Sequence, residues 1–65
     1  MNLTDREDQI FGMVRSGLTS RQIGVRLGIS SRTVDEHRQS CKLKLGGGNV
    51  VEQVAKYNAM KGEAS

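Results

Sequence analysis

The 65-residue sequence has no proline, no tryptophan and a single cysteine, and its aromatic residues are Phe11 and Tyr57 alone. One cysteine excludes an internal disulfide, so the fold has to stand without a covalent staple, as is usual in a reducing cytoplasm. The lack of proline and the scarcity of aromatics argue against a strand-rich domain and suit short helices. No apolar run approaches the ~20 residues needed to span a bilayer, and no charged-then-apolar start suggests a secretory leader. Histidine is also scarce: His37 stands alone, with no Cys, Asp or Glu at metal-ligand spacing, so no metal or other cofactor is expected. No Ser/His/Asp or Cys/His grouping and no carboxylate pair set in a pocket is evident, so an enzyme is not expected. A chain of this length forms one domain, here residues 1–65. It buries a modest fraction of its surface, and self-association is a natural source of extra support.

What is present is positive charge in one place. The net charge is only +3, but residues 15–44 carry seven basic side chains (Arg15, Arg21, Arg26, Arg32, Arg38, Lys42, Lys44) against Asp35 and Glu36. A concentrated basic field suits a phosphate-facing surface, although a solvated basic face on an ordinary helical domain would look the same by charge alone.

Four segments carry helix punctuation. Thr4-Asp5-Arg6-Glu7, Thr19-Ser20-Arg21-Gln22 and Asn49-Val50-Val51-Glu52 each place a capping residue three positions before a Glu or Gln that can reach back to it, and Ser30 opens the remaining segment. Gly17, Gly28, Gly46 and Gly62 stand where the segments should stop. The expected helices run over 5–16, about two turns after Thr19, 31–45, and about 50–61, with no room for strands. Ile10, Phe11, Val14, Ile23, Leu27, Val34, Cys41 and Leu45 form the candidate core, with His37 half-packed beside it. On the fourth helix, Val51, Val54, Ala55 and Asn58 are expected to face inward. Val50, Tyr57 and Met60, with Gln53 between, then form a second apolar line on the outer side.

Only Gly28-Ile29-Ser30 joins the second and third helices. Two helices tied that tightly cross steeply, which is a helix-turn-helix, here about residues 20–45. Gly24 is small where the two backbones approach, and Gly28 sits where a left-handed residue is required. The side of the third helix opposite Val34 carries Arg32, Asp35, Glu36, Gln39 and Leu43.

The segments "LTDRE", "GLTSRQIGVRLGISSRTVDEHR" and "KLKLG" resemble the LuxR/FixJ/GerE-type helix-turn-helix, the output domain of many bacterial transcription regulators, over about residues 3–58. The resemblance implies an all-α, four-helix domain: a trihelical core plus a C-terminal dimerisation helix. It implies a cytoplasmic, DNA-binding transcription regulator whose third helix reads a major groove, as a homodimer on a site resembling an inverted repeat, and which recruits or blocks RNA polymerase. Carried onto this sequence, it gives base-reading roles to Asp35, Glu36 and Gln39. Phosphate-binding roles go to Thr19, Ser20, Ser31, Arg32, Thr33, Arg38, Lys42 and Lys44, and the dimer contact to Val50, Gln53, Tyr57 and Met60. Where the family usually has an Ile, Cys41 stands as a small core residue, and Leu43 and Val50 replace residues that are often basic or polar.

Two adjacent carboxylates on a groove-facing surface demand an explanation. An acidic side chain can accept from a cytosine amino group, and Gln39 can pair bidentately with adenine, with Arg32 and Arg38 offsetting the repulsion. The alternative is a protein-interaction module that pairs with a larger LuxR-type regulator and inhibits it. Asp35-Glu36, Leu43, the Val50-Tyr57-Met60 line and the mild net charge point that way. Either a free-standing regulator or the output domain of a longer chain fits the length.

Overall fold

The computed structural model describes residues 3–62 and contains four helices and no strand among them: α1 (Asp5–Arg15), α2 (Ser20–Leu27), α3 (Ser31–Lys44) and α4 (Val50–Met60). Each helix begins where the sequence places a cap. Thr4 Oγ1 accepts from the Glu7 amide at 3.2 Å, and Glu7 Oε1 accepts in return from the Thr4 amide at 2.9 Å. Thr19 with Gln22, and Asn49 with Glu52, close the same reciprocal box. Ser30 Oγ accepts from the Thr33 amide at 3.1 Å. Each cap satisfies amides that the helix cannot and contributes about 1 kcal/mol.

The first three helices form most of the core, and Tyr57 of α4 completes it. Ile10, Phe11 and Val14 of α1 meet Ile23 of α2 and Val34 and Cys41 of α3, with Leu45 below and Leu27 and Ile29 packed at the edge. The α2–α3 turn closes on itself: Gly28 adopts φ 70°, and the Ile29 amide returns to the Gly24 carbonyl at 3.0 Å. That left-handed residue lets α3 leave at a steep angle without an unsatisfied carbonyl at the end of α2. Cys41 is fully buried, its Sγ 3.6 Å from the Glu7 carbonyl, and burial pushes its thiol up to about 11. It is a core residue, as expected from its position.

The orientation of α4 corrects the sequence-based expectation. Tyr57 is 2% exposed and Gln53 is buried, whereas Val51 is 75% exposed and Ala55 is exposed. The inner face is rotated rather than reversed: Tyr57 and Gln53 replace Val51 and Ala55 on it, Val54 still packs on the core and Asn58 stays half-buried, and Val50 and Met60 remain exposed. The physical reason is the hydroxyl as much as the ring. Tyr57 packs on Phe11 with ring centroids 5.0 Å apart, and its Oη donates to Asp8 Oδ1 at 2.7 Å. Lys61 Nζ also bonds that carboxylate, and Arg15 Nη1 donates to Asn58 Oδ1 at 2.9 Å. Gln53 Nε2 donates to the Gly48 carbonyl at 2.8 Å, so its burial leaves the amide nitrogen satisfied. Tyr57 and Gln53 therefore dock α4 onto its own domain and are not available as a seam between copies.

Glu7 has a second role that its place in a capping box does not reveal. It is buried, and Lys44 Nζ from the end of α3 reaches it at 2.6 Å. The hydrogen bond from Lys44, aided by the Thr4 amide, holds the Glu7 carboxyl below its ordinary value against the opposing effect of burial. A depressed carboxylate contributes stability that is fully present above the ordinary glutamate value and is lost as pH falls through the lowered one. Thermal melts of the wild type should therefore fall progressively as pH drops below the usual glutamate range. Lys44→Ala, which strands a largely buried carboxylate, should cost about 1–3 kcal/mol at neutral pH and show a shallower acid dependence. Equal melting temperatures for the two proteins at neutral pH would show the pair to be inert.

Candidate nucleic-acid interface

α3 is the element whose outer side is left open. Val34 and Cys41 fix its inner side, and the helical repeat then turns residues 32, 35, 36, 39 and 43 away from the core. Arg32, Asp35, Glu36 and Gln39 are all exposed, and Leu43 is 70% exposed. Among the described residues, the side chains of Glu36 and Gln39 make no intramolecular hydrogen bond or ion pair. Their polar ends are unengaged, as a group that is to meet an external ligand must be.

The start of α2 borders this surface. Ser20, the first residue of α2, is half-buried between two side chains of α3. Its Oγ donates to Asp35 Oδ1 at 2.5 Å and accepts from Arg38 Nη1 at 2.8 Å. Residues 35 and 38 are one helical step apart on the same face, so a single hydroxyl spans both. Thr19 lies beside it, exposed, with Oγ1 accepting from the Gln22 amide at 3.2 Å. Its hydroxyl proton is free to point outward. At the opening of α3, Ser31 is exposed and Thr33 is half-buried, its Oγ1 sharing a hydrogen bond with Ser30 Oγ at 2.9 Å. Lys42 is exposed near the far end.

The expected phosphate set thus falls into two groups. Thr19 and Ser20 open α2, where Arg38 from the middle of α3 meets Ser20, while Ser31, Arg32 and Thr33 open α3 with Lys42 further along it. Lys44 is the exception: it is turned toward α1 and bound to Glu7, so its ammonium is a structural partner rather than an outward cation. His37 is half-buried, in keeping with its expected packing. The Asp35–Ser20–Arg38 link was not foreseen from sequence. A Ser followed at fifteen and eighteen residues by Asp and Arg carries no signal until the helix crossing angle is known. Val25, 79% exposed, was likewise unflagged; with Gly17, Leu18, Arg21, Gln22 and Arg26 it lines a groove of about 480 Å³ that contains none of the expected site residues. No helix among the described residues is long and apolar enough to cross a membrane.

Comparison with known proteins identifies relatives of the sequence among bacterial regulatory proteins. The luxR family of bacterial regulatory proteins matches residues 1–56. The chain is 43% identical over 44 residues to the transcriptional regulatory protein MctR of Rhizobium johnstonii, a match covering 68% of this chain and 21% of that protein. It is 41% identical over 54 residues to the methanol utilization control regulatory protein MoxX of Paracoccus denitrificans, covering 83% and 24% respectively. With the C4-dicarboxylate transport transcriptional regulatory protein DctR of Rhodobacter capsulatus it shares 37% identity over 46 residues, 71% of this chain and 23% of that one. The aligned part is thus between a fifth and a quarter of each relative's length. No solved structure matches the chain.

Proposed function

The chain belongs to the luxR family of bacterial regulatory proteins, and from that premise we propose that it is a cytoplasmic DNA-binding transcription regulator whose α3 lies in a major groove. The observation that carries this reading is the uncovered outer side of α3, where Glu36 and Gln39 project unengaged while Arg32, Arg38, Lys42, Thr19 and Ser31 surround them. A carboxylate there accepts from a cytosine amino group, and the Gln39 amide is suited to adenine. The cations and hydroxyls meet phosphates, supply most of the affinity and make it salt-dependent. Asp5 and the Glu7–Lys44 and Asp8–Lys61 pairs belong to α1 and its contacts, so they do not interrupt the basic surface.

The dimer seam moves with the reorientation of α4. Val51, 75% exposed, and Ala55 lie on one uncovered side of α4, with Val50 exposed at 45% at the start of the helix, while Met60 lies on the opposite side. A second copy covers the Val51 side in the proposed homodimer, the symmetric arrangement commonest among soluble oligomers. Promoter DNA, RNA polymerase and that second copy are the proposed partners.

Selection of bound duplexes from a random pool tests the reading. The expected product is a site with two related half-sites, bound more weakly as salt rises. Val51→Glu, a change at an exposed position, should leave the fold intact and reduce binding to one half-site. Recovery of no sequence above the starting pool, even at low salt, would remove the DNA-binding reading. One observation favours a second reading: Leu43 presents an apolar side chain on the same outer side of α3. In that case the domain pairs with a larger LuxR-type regulator and inhibits it, and purified regulator would bind it one-to-one while DNA would not.

A further inference from the structure

We propose that Asp35 is a positioning residue: it orients Ser20 and, through Ser20, the phosphate-binding Arg38, leaving base selection to Glu36 and Gln39. This rests on the DNA-binding reading and sharpens it.

The direction of each hydrogen bond is forced by chemistry. A guanidinium has donors and no acceptor, so Arg38 Nη1 must donate to Ser20 Oγ across their 2.8 Å separation. A carboxylate has acceptors and no donor, so the single Ser20 hydroxyl proton must go to Asp35 Oδ1, 2.5 Å away. Ser20 therefore has no proton left for a phosphate oxygen. Its hydroxyl is a relay between α3 side chains one helical step apart, and it clips the first residue of α2 to the middle of α3.

The consequence for Arg38 follows directly. One of its five N–H groups is used on Ser20, which fixes the plane of the guanidinium and leaves the outward N–H groups pre-aimed. Without the carboxylate, the hydroxyl proton can rotate to other acceptors, and Ser20 becomes a less well-directed acceptor for Arg38. Asp35 meanwhile has one oxygen engaged inside the protein. The carboxylate is thereby held toward Ser20 with only Oδ2 unengaged, whereas Glu36 and Gln39 carry no such tether among the described residues. A negative charge amid cations is thus accounted for as part of the phosphate-binding apparatus rather than as an exception to it.

The test compares Asp35→Ala with Asp35→Asn. Both remove the same charge, so repulsion from DNA changes equally, but only Asn keeps an acceptor oxygen for Ser20. With selected DNA, Asp35→Ala should bind all sequences about threefold to tenfold more weakly than Asp35→Asn, the loss typical of one hydrogen bond. Ser20→Ala should resemble Asp35→Ala, and the Ser20→Ala/Asp35→Ala double variant should be no weaker than the poorer single one. Base preferences should match the wild type throughout. In the free protein, the side-chain N–H resonances of Arg38 should move in Asp35→Ala and Ser20→Ala but stay near wild type in Asp35→Asn. A changed preference at one base pair in Asp35→Ala, with Ser20→Ala unaffected, would overturn the proposal and make Asp35 a base reader. Additive losses, or unmoved Arg38 resonances, would overturn it as well. If the wild type selects no DNA, the DNA-binding reading falls with its phosphate contact, while the resonances still decide whether Asp35 orients Arg38.

Discussion

Replacing Tyr57 by alanine should bring the domain to the edge of unfolding at room temperature. The ring is 2% exposed and stacks at an interplanar angle of 53° on Phe11, itself 1% exposed. Truncating a buried aromatic costs about 3–5 kcal/mol, the transfer free energy of the ring plus the cavity it leaves. A core of this size rarely supplies more than ~3–5 kcal/mol in total. The polar contacts around the ring add to the loss. Tyr57 Oη bonds Asp8 Oδ1 at 2.7 Å, which is the main reason the Asp8 carboxyl lies below its ordinary range. The Arg15 guanidinium lies 5.1 Å from the ring centroid and Lys61 Nζ lies 5.8 Å from it, both within reach of a cation–π attraction. Tyr57→Phe keeps the ring and loses the hydroxyl, leaving Asp8 with Lys61, and should cost only about 1 kcal/mol. In a domain of 60–100 residues each kcal/mol moves the melting temperature by roughly 4–8 °C, so melts monitored by circular dichroism separate the two variants readily. An alanine variant that melts with the wild type would place Tyr57 outside the core and restore it to the outer face.

The location of this residue marks where sequence reasoning reached its limit. Four helices and their starts were readable because the signals are local: Thr4 with Glu7, Thr19 with Gln22, and Asn49 with Glu52 each lie within one turn. The three-helix core was readable because Ile23, Val34 and Cys41 leave each helix one plausible apolar side. On α4 two stripes compete. Val51, Val54 and Ala55 are as apolar as Val50, Tyr57 and Met60, and periodicity cannot rank them. The choice depends on partners distant in sequence, namely Phe11, Asp8 and the Gly48 carbonyl, which make Tyr57 and Gln53 the better-satisfied inner face. The interface shows the same division. Which side of α3 faces outward follows from its own repeat, and Glu36 and Gln39 lie there. That Lys44 turns to Glu7, and that Ser20 joins Asp35 to Arg38, depends on how helices cross, and spacing along the chain carries no record of it.

Two glycines inside helices should respond to the same substitution with opposite signs. Gly12 lies within α1, and a methyl group there would meet Tyr57 Oη at 3.5 Å, an ordinary van der Waals contact. Gly12→Ala should therefore raise stability by about 0.5–1 kcal/mol, because alanine restricts the unfolded chain and prefers the helix. Gly24 lies within α2, where a methyl group would fall 2.6 Å from the Ile29 carbonyl oxygen. That obstacle is backbone, held by the turn whose Ile29 amide bonds the Gly24 carbonyl itself, so no side-chain rotation relieves it. Overpacking of this kind costs about 1–3 kcal/mol, which exceeds the gain in helix preference. Gly24→Val adds branching on top of the same clash and should cost more, enough to unfold much of the population of so small a domain. The damage should also reach the interface, because the displaced turn carries Ser20 away from Asp35 and Arg38. Urea titrations give the signs directly: a higher midpoint for Gly12→Ala and a lower one for Gly24→Ala, with Gly24→Val lowest. A Gly24→Ala variant at least as stable as the wild type would mean that α2 and α3 do not cross as tightly as their short connection implies.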